Sequence, residues 1–214
     1  MTRLLLASAS PARRATLRAA GIEPVVAVSG VDEHDVLTDA VAAAGALTPA
    51  EAVLVLARAK AEDVAGKLAA HTGARDVVVL GCDSMLELGG EVLGKPADAA
   101  QARARWRAMR GTSGVLHTGH WLVDARPDDG TGLALGETAS TTVWFADLSD
   151  AEIDAYVATE EPLRVAGAFT IDGLGGPFVE RIEGDHHSVV GLSLPLLRRL
   201  LALVGIGVVD LWAR

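Results

Sequence analysis

Apolar residues fall along this chain in two patterns, short continuous runs and stripes at helical spacing. Leu4-Leu5-Leu6-Ala7 is a continuous run that predicts a buried strand over 3–7, and Ser10-Pro11 then opens a helix that Gly21 closes. A second strand is expected over 24–29. After it comes a polar segment with Asp32, Glu33, His34 and Asp35. Thr48-Pro49-Ala50-Glu51 spells a capping box, which predicts a long helix to about residue 70. Val53, Ala57, Lys60, Val64 and Leu68 step along one face of that helix, so an ammonium emerges from its apolar stripe. Val77-Val78-Val79-Leu80 reads as a strand buried on both faces and ending at Gly81-Cys82-Asp83. Gly89-Gly90 between 84–88 and 91–93 signals a hairpin. A helix is expected over 97–109, its face of Arg103, Arg105, Arg107 and Arg110 mostly solvated, then extended segments over 115–125 and 133–145. Ser149-Asp150-Ala151-Glu152 is a second capping box, residues 167–176 are glycine-rich, and Pro195 starts a last helix. Strands and helices alternate only in part and the middle reads as antiparallel, which predicts an α/β fold with a mixed sheet.

Composition narrows the class. The chain has 214 residues, half of them apolar and 22% charged, enough to build a core over 1–214 as one domain or as two lobes sharing it. Nineteen Lys and Arg against 28 Asp and Glu give a net charge of −9, a poor match to nucleic acid, which leaves room only for a local basic pocket. Cys82 is the single cysteine, so neither a disulfide framework nor a thiolate zinc cluster can form. The apolar run at the start ends by Ser8, and the run over 192–209 is broken by Pro195, Arg198 and Arg199. Both fall short of the ~20 apolar residues of a membrane span. A cytoplasmic protein with no membrane and no nucleic-acid partner is expected.

Candidate chemistry concentrates at few positions. Ser8-Ala9-Ser10-Pro11-Ala12-Arg13-Arg14 places hydroxyls, a helix N-terminus and two guanidinium groups after a strand, which suits either a phosphate seat or an ordinary serine cap with exposed arginines. Lys60 is either a phosphate contact or a snorkelling side chain. Lys60 and Lys95 are two of only three lysines. Gly89 to Lys95 approaches a phosphate-loop spacing, but Pro96 stands where a magnesium-binding hydroxyl belongs, so that reading fails and a lysine beside a cleft survives. Asp83, at the carboxyl end of an apolar strand, must be paired, hydrogen-bonded or metal-bound, unless it only turns the chain. Glu33 could join it in holding Mg²⁺ or Mn²⁺, or could belong to a solvated acidic loop. Cys82 reads as a buried filler, and His117, His120, His186 and His187 as structural or surface residues. No Gly-x-Ser-x-Gly elbow occurs.

Taken together, these segments resemble the Maf family of nucleoside triphosphate pyrophosphatases, also described as septum-formation inhibitor-like proteins. The likeness rests on Leu-Ala-Ser-Ala-Ser-Pro-Ala-Arg-Arg at 6–14, Val-Asp-Glu at 31–33, Ala-Lys-Ala at 59–61, Gly-Cys-Asp-Ser at 81–84 and Leu-Gly-Lys-Pro at 93–96. His-Thr-Gly at 117–119, Glu-Pro-Leu at 161–163, Ala-Gly-Ala-Phe at 166–169, Phe-Val-Glu-Arg-Ile-Glu-Gly-Asp at 178–185 and Val-Val-Gly-Leu at 189–192 extend it over nearly the whole chain. The resemblance implies an elongated mixed sheet flanked by helices, two lobes around a cleft, a homodimer, and cleavage of a nucleoside triphosphate between its α and β phosphates. Asp83 takes the place of the family's catalytic aspartate, and Ser10, Arg13, Glu33, Lys60 and Lys95 those of its phosphate-handling residues, with Arg14 beside them. Ala12, Ser84 and Asp172 fall at specificity positions. Members resembling dTTP/UTP pyrophosphatases carry Arg, Thr and Gln there, and the 7-methyl-GTP branch a bulky residue, Gln and Glu. This chain matches neither pattern, and Leu-Arg-Val-Ala-Gly at 163–167 replaces the usual Leu-Asp-Lys-Ala-Gly, so the preferred base stays open. A non-catalytic regulator of division that binds a nucleotide or a protein is the alternative from another class, and a nucleotidyltransferase is a third.

Overall fold

The computed structural model describes residues 2–69 and 76–213. Strands β1 (Arg3–Leu6), β2 (Val25–Val26), β3 (Val77–Leu88), β4 (Glu91–Leu93), β5 (Ser113–Asp124), β6 (Ala134–Phe145) and β7 (Val179–Glu183) form a mixed sheet. Their order is β2-β1-β3-β5-β6-β7, with β4 paired to β3. β1 runs parallel to both β2 and β3, while β3–β4 and β6–β7 are antiparallel. The helices are α1 (Pro11–Ala19), α2 (Glu33–Ala44), α3 (Pro49–Ala69), α4 (Ala99–Met109), α5 (Asp150–Ala158), α6 (His186–Val190) and α7 (Leu194–Leu203). The chain is therefore α/β with a mixed sheet and flanking helices. It divides into two compact units: Met1–Asp83, Thr118–Ala139 and Gly191–Arg214 make the first, Ser84–His117 and Ser140–Val190 the second.

In the first unit, alternation along β1 and β3 explains their unbroken apolar runs. Leu4, Leu6, Val78, Leu80 and Cys82 pack with Leu17 of α1 and Leu197 and Leu201 of α7. Leu5, Ala7 and Val79 point the other way, into a cluster with Ala61 and Val64 of α3. Both faces are thus covered, as a parallel sheet requires. Gly81 lets α3 approach β3: a Cβ there would lie 2.1 Å from the Ala57 carbonyl oxygen.

The second unit is built around Trp106 of α4, fully buried, its ring edge-on to Phe145, Tyr156 and Phe178 at 5.8, 5.5 and 5.9 Å. Its indole N–H donates to the Ala168 carbonyl at 2.8 Å, so the polar handle of this large side chain is satisfied.

Local differences from the sequence reading have identifiable causes. β3 does not stop at residue 80 but continues to Leu88, because Gly81 serves helix packing rather than a turn. The hairpin follows, with φ of +59° and +86° at Gly89 and Gly90. The polar segment after 31 is not a loop: Asp32 caps α2 by accepting from the His34 and Asp35 N–H groups. The second expected strand shrinks to Val25–Val26, and β7 and α6 were not anticipated. α3 carries the expected capping box, Glu51 accepting from the Thr48 N–H at 2.8 Å, and its expected end at residue 70 lies outside the described residues. The arginine face of α4 is not simply solvated. Arg103 pairs with Asp154 at 2.7 Å and Arg110 with Asp150 at 2.7 Å, while Arg105 donates to the Gly94 carbonyl at 2.6 Å.

Candidate active site

The first unit gathers most of the expected residues around the carboxyl ends of β1 and β3. The turn after β1 is organised by serines: Ser8 Oγ accepts from the Ser10 N–H at 3.2 Å, and Ser10, the N-cap of α1, accepts from the Arg13 N–H at 3.4 Å. Pro11 at the first helical position has no N–H to leave unsatisfied. A hollow of about 310 Å³ opens here, lined by Ser8, Ser10, Pro11, Arg14, Arg18 and Val26 among others. It combines a helix N-terminus with two guanidinium groups, a setting that favours anions. Arg14 is exposed and pairs loosely with Glu23 at 3.6 Å, which Arg18 holds more closely at 2.7 Å.

Arg13 behaves differently from its neighbour. Its guanidinium folds back as a strut: Nε donates to the Gly191 carbonyl at 2.7 Å, and Nη1 to Ser8 Oγ at 3.0 Å and to the Cys82 carbonyl at 2.9 Å. It thereby ties the turn after β1, strand β3 and the start of the last segment into one frame. Gly191, at φ +119°, is needed there, since a Cβ would come within 3.3 Å of Arg13 Nε.

At the centre of the cluster Lys60 joins two carboxylates. Its ammonium lies 2.6 Å from Asp83 Oδ1 and 2.7 Å from Glu33 Oε1. The Lys60 side chain is 11% exposed and that of Asp83 12%, so the snorkelling alternative is overturned: the charged head is buried in ion pairs, not in water. Glu33, at the start of α2, stays exposed. Burial pushes the Asp83 carboxyl above the usual carboxylate range, and the charge of Glu33 adds to this, although Lys60 and Arg13 pull the other way. Cys82 beside it is the expected filler, fully buried, with burial pushing its thiol up to about 12.

Both oxygens of each carboxylate are hard donors of the kind that Mg²⁺ and Mn²⁺ take. No group of three or more His, Cys, Asp or Glu that could hold a metal occurs among the described residues. Two carboxylates of this chemistry are too few to cage such an ion by themselves.

Three expected residues belong to the second unit. Ser84 is half-buried on β3. Lys95, just beyond β4, is exposed and makes no ion pair among the described residues. Asp172 is exposed and accepts a hydrogen bond from Thr170 Oγ1. Ala12, on α1 in the first unit, is half-buried. Sequence reasoning missed other polar groups. Asp63 holds the Gly30 N–H at 2.9 Å, a contact that its helical spacing from Lys60 could have suggested. In the second unit His117 bridges Ser140 Oγ at 2.8 Å and Glu87 Oε2 at 3.0 Å, for which the sequence gives no signal. His120 is structural, as expected: its Nε2 accepts from the N–H of Ser193, the cap of α7, at 2.7 Å.

Residues 3–204 match the family described as Maf-like protein. The chain belongs to the Maf family. A relative from Salinispora tropica is 59% identical over 212 residues, 99% of this chain and 88% of that protein. Relatives from Streptomyces coelicolor and Rhodococcus jostii are each 56% identical, covering 99% and 100% of this chain and 95% and 97% of theirs. All three are named nucleoside triphosphate pyrophosphatase. Among Maf family proteins this chain thus has relatives matching it nearly end to end, so the Lys60–Asp83 cluster lies within the matched region. No helix among the described residues is long and apolar enough to cross a membrane.

Proposed function

We propose that this chain hydrolyses a nucleoside triphosphate between its α and β phosphates, giving the monophosphate and pyrophosphate. The observation that carries this reading is the buried Asp83 carboxylate, with a raised pKa and with Lys60 at 2.6 Å. The names of the Maf relatives, nucleoside triphosphate pyrophosphatase, agree with it. A carboxylate whose pKa is raised by burial is a stronger base than an ordinary aspartate. Asp83 takes a proton from a water as its oxygen bonds to the α phosphorus. The bond from that phosphorus to the bridging oxygen breaks, and the electron pair leaves with pyrophosphate. Lys60 balances the charge that develops, and the N-terminus of α1 with Arg14 seats phosphate oxygens. Arg13 serves by holding Ser8 and β3 in register, since its guanidinium is committed to protein acceptors.

Glu33 would hold Mg²⁺ or Mn²⁺, joined by Asp83 if that carboxylate binds metal instead of activating water, and the ion would supply charge neutralisation for the triphosphate. Lys95 is read as a further phosphate contact, and Ala12, Ser84 and Asp172 as positions bearing on the base. The working form is taken to be a cytoplasmic homodimer, which sedimentation would test.

The deciding experiment incubates the protein with a panel of nucleoside triphosphates and Mg²⁺ in ¹⁸O-water. The expected products are pyrophosphate free of label and a monophosphate carrying one ¹⁸O. Label in pyrophosphate, release of orthophosphate, or no turnover of any nucleotide would overturn the reading, the last in favour of a non-catalytic binder. Chelation is expected to silence turnover and added Mg²⁺ or Mn²⁺ to restore it.

A further inference from the structure

Helix α2 poses a problem of attachment. It has 12 residues and none of them is buried, so no fully enclosed side chain anchors it. Burial is what usually fixes the place of a surface helix. Yet α2 carries Glu33 in its first turn, and Glu33 must meet the Lys60 ammonium at 2.7 Å. α2 also packs on α3 with Val36, Leu37 and Ala40 half-buried, so apolar contact seats the body of the helix and polar contacts at its entrance fix where its first turn sits.

One contact is suited to do so. The Gly30 N–H, three residues ahead of Glu33, donates to Asp63 Oδ2 at 2.9 Å. The same oxygen accepts from Lys67 at 2.6 Å. The ion pair with Lys67 and the Gly30 hydrogen bond keep the Asp63 carboxyl below its ordinary value, so it is an ionised acceptor at neutral pH. The fit at Gly30 is close: a Cβ there would sit 3.3 Å from Lys67 Nζ. Asp63 lies three residues after Lys60 on α3, on the same side of the helix. One helix face thus makes two attachments to the segment 30–33, Asp63 to its backbone and Lys60 to its acidic side chain.

We propose that Asp63 is a positioning residue that latches the 30–33 segment to α3 and so sets Glu33 against Lys60 and Asp83. The inference rests on the proposed role of the Glu33–Lys60–Asp83 cluster in turnover. Among the described residues Asp63 bonds to Gly30 and Lys67 and to none of Glu33, Lys60 and Asp83, so it acts through the Gly30 backbone. Two measurements on the intact protein separate the latch from that role. Amide hydrogen exchange reads the latch alone. In Asp63→Ala the amides of 30–36 are expected to exchange at least ~10-fold faster, with the central amides of β3 unchanged. Asp63→Asn, which keeps a carbonyl oxygen for the Gly30 N–H, is expected to stay within ~3-fold of wild type. Steady-state kinetics reads the consequence: kcat/KM in Asp63→Ala is expected to fall ~10-fold, largely recovered in Asp63→Asn. Unchanged exchange over 30–36 in Asp63→Ala overturns the latch. Faster exchange with unchanged kinetics overturns its link to turnover, and Glu33→Gln measured alongside shows why. Full activity in Glu33→Gln removes Glu33 itself, whereas a clear loss there faults only the positioning by Asp63.

Discussion

Gly81→Ala isolates how closely α3 must lie on β3. The added methyl carbon would stand 2.1 Å from the Ala57 carbonyl oxygen and 2.9 Å from the Ala61 backbone nitrogen, where real contacts are essentially never under 3.0 Å. Backbone cannot swing aside as a side chain can, so strand and helix must part by roughly 1 Å or more. Ala57 and Ala61 bracket Lys60, and Asp83 follows two residues after Gly81. The same parting therefore opens the 2.6 Å contact between Lys60 and Asp83 toward ~3.5 Å, beyond hydrogen-bond distance. Overpacking of this kind costs about 1–3 kcal/mol, a fall in Tm of roughly 3–10 °C for a chain of this size. A misplacement near 1 Å at reacting groups costs ~10²-fold in kcat/KM. Thermal unfolding and pyrophosphate release measure the two effects, with Gly66→Ala as the control. Gly66 lies on the same helix, a Cβ there meets nothing within 4 Å, and replacing a helical glycine should stabilise by about 1 kcal/mol. Wild-type Tm and turnover in Gly81→Ala would refute the packing argument. A lowered Tm with unchanged kcat/KM would show that the seat of α3 does not align Lys60 with Asp83.

Further expectations concern charge. Asp83→Asn should reduce turnover by at least ~10²-fold with an unchanged circular dichroism spectrum. The acid limb of kcat/KM in the wild type should lie above the ~3.9 of a free aspartate, and Lys60→Met should move it to still higher pH, because the ammonium holds the Asp83 pKa down. A limb that stays in place in Lys60→Met would dissociate Asp83 from the titration. Asp124 has a fully buried carboxylate; burial alone would raise it, but bonds from Arg126 and from the N–H and hydroxyl of Thr131 hold it far below the usual range. Its contribution is complete above the unfolded value near ~3.9 and is lost as pH falls toward the lowered folded one. Asp124→Asn should cost about 3 kcal/mol at pH 7, and the gap to wild type should narrow in denaturant titrations below pH 4. The Asp172 carboxylate oxygens are hydrogen-bond acceptors, which favours bases offering N–H donors, guanine, uracil or thymine. Asp172→Asn should flatten that preference across the panel; an unaltered panel would remove Asp172 from base reading.

Much of this architecture is legible in the residue pattern, and the gaps have physical reasons. The capping boxes at Thr48 and Ser149 and the glycine pair at 89–90 act locally, so sequence exposes them directly. The apolar run at 77–80 announces a strand covered on both sides, and the likeness to the Maf family singles out Asp83, Lys60 and Glu33. α2 escaped because its acidic start at 32–35 reads as a loop, although Val36, Leu37, Ala40, Val41 and Ala44 recur at helical spacing behind it. β3 runs on past its expected end at 81–83 because Gly81, which interrupts the apolar run, admits a neighbouring helix. The contact of Arg13 with Gly191 spans 178 positions, and no local pattern encodes such a partner.

The assignment of segments to the two units bears on how the protein can be made. The chain leaves the first unit after Asp83, re-enters it at Thr118, leaves again after Ala139 and returns for good at Gly191. α7 fills the same apolar cluster as β1 and β3, and the Ala213 N–H closes on the Gly21 carbonyl at 2.8 Å. During synthesis, residues 1–83 therefore wait for residues 191–214 before their hydrophobic surface can be enclosed. The second unit, bounded by 84 and 190, can close earlier. A nascent chain halted before residue 191 leaves Leu4, Leu6 and Val78 without the cover of α7 and is expected to bind chaperones or aggregate.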